Sequence, residues 1–201
     1  MKRKVLLLTV LLSLLGLVAQ ARFHIGIRGG IGGTRLKVKN GNTDLKTDHI
    51  FTWEIGGAFN YAWALPAGQI ELEGRLQFER IGGKWVFNNN QASSTVSLYY
   101  FDIPVLALYR YDFTKQVGVY VGAGLQFNFG MVGYVEDDEV EWGDDALKRF
   151  MMDVKFEGGM HFLKHYRVGL FYDLGVTDMY DATNYDGYNR RWGAAFTYYF
   201  F

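Results

Sequence analysis

Cysteine is absent from the 201-residue chain, so neither disulfides nor thiolate metal sites can stabilise it. Proline occurs twice and histidine four times. Past the first 18 residues no apolar run approaches the ~18–20 residues of a membrane-spanning helix, which excludes a helical membrane protein. An excess of basic charge is lacking too, with 21 Lys and Arg against 21 Asp and Glu. Nucleic-acid binding needs a concentrated basic face, so no nucleic-acid partner is expected. Glycine, by contrast, is plentiful at 25 residues, and aromatics make up 17%.

The first residues read as an export signal. Lys2, Arg3 and Lys4 form a basic start, residues 5–18 are apolar, and Ala19-Gln20-Ala21 fits a small-x-small cleavage site. As a helix the apolar run would span only ~21 Å, short of a ~30 Å hydrocarbon core. Residues 1–21 are thus expected to be a cleaved signal peptide, and residues 22–201 one domain of net charge −3.

The chain is organised around residues 117–131. Val117, Val119, Val121, Ala123, Leu125, Phe127, Phe129 and Met131 alternate with Gly118, Tyr120, Gly122, Gly124, Gln126, Asn128 and Gly130. A period of two is a β-strand with one face in an apolar medium. Fifteen alternating residues far exceed the ~5–6 of an average globular strand. They suit a tilted strand that crosses a membrane.

The same alternation recurs along the chain. Residues 51–65 carry Phe51, Trp53, Ile55 and Phe59 opposite Thr52, Glu54 and Asn60. Residues 69–79 set Ile70, Leu72, Leu76 and Phe78 against Glu71, Glu73, Arg75, Gln77 and Glu79. Further strands are expected at 99–110, 149–162, 167–176 and 189–201. In the first strand Phe23, Ile25 and Ile27 change parity to Leu36 and Val38 across Gly29, Gly30, Gly32 and Gly33, which predicts a bulge. Pro104 predicts another bulge, and Gly82-Gly83 an interruption.

The count is eight strands. Their connections alternate between ~10 polar residues and tight links of three to five, as in an outer-membrane barrel with both termini in the periplasm. The expected fold is therefore all-β: an eight-stranded antiparallel up-and-down transmembrane barrel. A lipocalin-like barrel would put its apolar face inside, but eight strands could hardly enclose these Trp, Tyr and Phe side chains. The small and charged face must then line the lumen. It carries Arg28, Glu54, Glu71, Glu73, Arg75, Glu79, Asp102, Arg110, Asp153, Lys155, Glu157, Arg167 and Asp173. Paired and hydrogen-bonded, these charges would plug a lumen of this width. The inner glycines of residues 117–131 are expected to make room for them. Trp53, Trp63, Tyr109, Tyr111 and Trp192 fit interfacial girdles.

The leader, the segment Phe101-Asp102-Ile103-Pro104-Val105-Leu106 and the aromatic C-terminus resemble small OmpA/OmpX-type barrels. More narrowly, they resemble the PorT-like outer-membrane barrel family of Bacteroidetes, which are Gram-negative. The resemblance implies an outer-membrane location in the cell envelope, some members of the family taking part in type IX secretion. The C-terminus resembles the signal read by the barrel assembly machinery. Trp192, Ala194, Phe196, Tyr198 and Phe200 form its better alternating set, with Phe201 one beyond, so the register of the last strand stays open.

Three functions remain to be weighed. The first is a non-enzymatic structural or interaction barrel with a charge-plugged lumen and four external loops. Its partners would be outer-membrane lipids and lipopolysaccharide, the assembly machinery, and envelope or secretion proteins. The second is a narrow channel or porin-like solute path. The third is an outer-membrane lipid-modifying enzyme using Ser97 and a histidine. Enzyme chemistry is poorly supplied: past the leader the serines are Ser93, Ser94 and Ser97, beside a loop, and no His-x-Glu pair exists. No catalytic, cofactor or metal residue is therefore expected. The acidic run 136–145 reads as a solvated loop rather than a site for divalent cations bridging lipopolysaccharide, since it lacks the spacing of a calcium loop.

Overall fold

The computed structural model describes residues 22–40, 43–87, 92–136, 138–140, 142–143, 147–180 and 185–200. The expected signal peptide, part of the acidic run and Phe201 lie outside them. The strands are β1 (Arg22–Asn40), β2 (Thr43–Lys46), β3 (Ile50–Ala64), β4 (Gln69–Phe87), β5 (Ala92–Asp112), β6 (Val117–Val135), β7 (Asp138–Glu139), β8 (Phe150–Phe162), β9 (Tyr166–Gly175) and β10 (Tyr185–Tyr199). Each long strand pairs antiparallel with the next, and β10 pairs back onto β1, closing an eight-strand ring. The short β2 and β7 extend the loop side by pairing with β1 and β6. Among the described residues no helix masks the alternation, and period two is their organising signal.

The ring has a definite slant. Following paired residues from Phe23 through Tyr61, Leu72, Ala107, Ala123, Phe156, Tyr172 and Trp192 returns to β1 at Gly33, ten residues on. For eight strands this stagger means a tilt of ~40°. The outward set is bulky and apolar, with Ile31 60%, Val121 61% and Leu170 70% exposed. Aromatics cluster outside at both ends: Tyr61 on Trp63 and Tyr166 on Tyr198 at the short-turn end, Trp53 on Tyr99 toward the loops.

Several expectations need correction. β1 has no bulge, and its register against β3 and β10 runs unbroken. Leu36 and Val38 change company rather than parity: they point inward, where the lumen itself turns apolar. β4 passes straight through Gly82-Gly83; Gly82 adopts φ 151° where a Cβ would meet the Val96 carbonyl. Pro104 leaves the β5 register with β4 unchanged on either side, because Gly74 pairs with Val105 and Gln77 with Asp102. The shift in β5 lies instead at Tyr99/Tyr100, where β6 carries the extra Met131. The polar stretches read as loops also hide strand: β2, the start of β5 and the start of β10.

Candidate functional site: the closed lumen

The inward face forms three charged tiers beneath an apolar one. At the short-turn end, Arg167 bridges Glu71 at 2.6 Å and Glu73 at 2.8 Å, with its guanidinium over the Tyr120 and Tyr199 rings. The Tyr199 hydroxyl donates to Glu73, and the half-buried Arg110 joins Asp112 at 2.9 Å and Glu71 at 3.4 Å. Above them Arg75 spans Glu73 (2.5 Å) and Glu157 (2.8 Å), while Arg28 spans Glu54 (2.7 Å) and Glu157 (3.0 Å). Higher still, Lys155 sits 3.0 Å from Asp173 and 3.4 Å from Glu54. Arg191 ties Glu54 (2.8 Å), Asp173 (2.5 Å) and Glu79 together.

Apart from Arg110 and Asp112, each of these charged groups is almost completely shielded from solvent. Charges so buried persist only when partners and hydrogen bonds replace lost water. Each guanidinium here spans at least two carboxylates, on different strands except at Arg167, which reaches from β9 to Glu71 and Glu73 of β4. The result cross-links the barrel wall through its own interior.

The uppermost tier is apolar. Leu36, Val38, Ile81, Val96, Leu98, Tyr100 and Met151 project inward at the loop end, and Leu147 and Met179 fold down from the long connections onto them. Trp142 packs edge-on to Tyr100 at 5.8 Å. Burial, with the Asp178 carboxylate beside it, raises the pKa of the Tyr180 phenol in this hatch. The acidic connection is thus not wholly a solvated loop, since Leu147 bridges to Tyr180 and Trp142.

All thirteen charged residues expected on the inner face do point inward. Twelve are fully buried and Arg110 is partly so. Asp102 and Asp153 stand outside the ion pairs of the described residues. The reading of the sequence missed Arg191, which completes the upper tier. Its signal was legible: one cation among Gly193, Ala195, Thr197 and Tyr199, opposite the apolar set. The structure also fixes the register of β10, with Trp192, Phe196 and Phe200 exposed and Tyr199 buried. The expected reason for the β6 glycines is corrected. A Cβ on Gly122 or Gly124 would strike the backbone of β5 at Ala107 or Val105, not a charged side chain.

Ser97 accepts a hydrogen bond from the Arg80 guanidinium at 2.8 Å, a donor rather than a base. His161 lies 2.6 Å from Asp112 at the opposite end of β5.

A closed antiparallel ring with an apolar outside and a charged inside is an outer-membrane β-barrel. Residues 18–181 match the outer membrane protein beta-barrel domain, and the chain belongs to that family. Among solved structures it is similar to the Neisserial surface protein A at 16% identity and TM-score 0.48, covering 89% of this chain and 97% of that one. It is similar to Ail, the attachment invasion locus protein of Yersinia pestis, at 11% identity and TM-score 0.38, covering 87% and 98%. The outer membrane enzyme PagL gives 10% identity and TM-score 0.48, covering 88% and 99%. No curated protein matches the sequence.

Proposed function

We propose that this outer-membrane barrel is non-enzymatic and PorT-like, a structural or interaction protein that presents four external loops on one side of a closed lumen. A cleaved signal peptide would deliver it, and the assembly machinery would read Trp192, Phe196, Tyr198, Phe200 and Phe201. Lipid and lipopolysaccharide surround its apolar wall, so the loops are the surface left for envelope or secretion partners. The observation that supports this is the interlocked lumen. Arg75 and Arg191 have 0% exposed side chains and each is tied to acids across the bore, which leaves a solute no continuous path. Folded protein in planar lipid bilayers is expected to show no steady unitary conductance, and steady steps would overturn the plugged reading. Lipid hydrolysis by the folded protein that is lost in Ser97→Ala would overturn the non-enzymatic one.

A further inference from the structure

Just beneath the apolar hatch the charge account of the lumen fails to close. Among the described residues six inward cations (Arg28, Arg75, Arg110, Lys155, Arg167, Arg191) face eight inward carboxylates (Glu54, Glu71, Glu73, Glu79, Asp102, Asp153, Glu157, Asp173). The imbalance is local. Every ion pair to those cations goes to Glu54, Glu71, Glu73, Glu79, Asp112, Glu157 or Asp173, and none reaches Asp102 or Asp153. Both are shielded, at 0% and 1% exposure. Neither oxygen of Asp102 receives a well-formed hydrogen bond, and Asp153 receives a long one from Asn189 at 3.4 Å.

A second observation points the same way. Asn128 pairs across the strands with Asp102, and its amide lies against Asp153. It is completely buried, yet neither Nδ2 nor Oδ1 makes a well-formed hydrogen bond. Buried amides in native proteins are almost always satisfied. Here an unsatisfied amide and two carboxylates outside the ion pairs of the described residues stand close together on β5, β6 and β8, with Glu79 of β4 beside Asp102. The hatch above supplies no donor from Leu98 or Met151, and the Tyr100 hydroxyl is directed at the Met151 sulfur.

We propose that these groups bind a hard inorganic cation between Asp102 and Asp153, with the Asn128 Oδ1 as a neutral oxygen ligand. Oxygen donors of this kind suit sodium or calcium. Among the described residues no three acidic or histidine side chains converge into a ready-made metal site, so the ion keeps part of its water shell. Its charge replaces the counter-ion that the protein does not supply. Its position, sealed between the hatch and the ion-pair tiers, means that it loads while the barrel folds.

The test is thermal. Protein stripped with a chelator is refolded into detergent in sodium chloride, in calcium chloride or in choline chloride at one ionic strength, choline being a bulky quaternary ammonium that oxygen ligands do not coordinate. The readout is the temperature at which the folded gel band converts to the unfolded one. At least one inorganic cation is expected to raise it by about 3 °C or more over choline. Asp102→Asn should abolish that difference and raise the midpoint in choline, and Asp153→Asn serves as the second variant. Equal midpoints in all three salts would overturn the site, the carboxyls then being neutralised by protons. So would a full cation response in both variants, which would place the ion on the outer surface.

Discussion

Gly122 and Gly124 show how closely neighbouring strands approach on the concave side of a small barrel. Their missing Cβ atoms leave room for the Ala107 and Val105 carbonyls of β5. Gly74, on the outer face of β4, has nothing within 4 Å of where a Cβ would stand. Leucine should therefore behave oppositely at the two kinds of site. Gly124→Leu is expected to abolish or strongly reduce the heat-modifiable folded band, whereas Gly74→Leu should fold like the parent. A folded Gly124→Leu protein with unchanged yield would show that β5 can retreat. The parity of these glycines was readable from the sequence, because alternation is local. Their reason was not, since it depends on a backbone that comes within reach only once the sheet curves.

Arg191 acts at the scale of the strand. From β10 it reaches Asp173 on β9, Glu54 on β3 and Glu79 on β4, so one side chain clasps a large arc of the ring. Replacing it by methionine keeps the bulk, leaves Glu79 without an ion pair among the described residues, and takes one partner each from Glu54 and Asp173. Removal of one partner of such a cluster costs about 3–5 kcal/mol. The urea midpoint of Arg191→Met should fall accordingly, and an unchanged midpoint would mean that water has relieved the acids. The eight long strands were legible because each keeps its faces distinct over many residues. Where legibility failed, the medium changed along a strand. Leu36 and Val38 looked like a parity change because the lumen near the loops is apolar rather than charged. Tyr185–Gly187 looked like loop because a strand that has left the bilayer no longer needs apolar residues outside. Pro104 misled differently: the register it should have broken is held by the flanking pairs.

As a whole, the molecule inverts the usual distribution of polarity, and that inversion was the most legible feature of the sequence. Counting charges on one parity and aromatics on the other suffices to choose a membrane barrel over a soluble one. The partners of each charge were not legible, because ions meet across the bore from strands far apart in sequence. The export reading makes its own prediction. Protein recovered from the envelope should begin at Arg22 by N-terminal sequencing, and a retained leader would refute the assigned cleavage.

The seam between β1 and β10 has a kinetic consequence. Gly26 pairs with Tyr199 and Asn40 with Tyr185, so the last ladder to shut joins residues separated by most of the polypeptide. Long-range pairing of this kind is slow, because the closure entropy is lost before any contact repays it. Until the seam latches, β1 and β10 each present a bare row of amides and carbonyls, ready to add a foreign strand. The vulnerable species is thus an open sheet waiting for its own far end, and its survival depends on whatever shields those two edges during the wait.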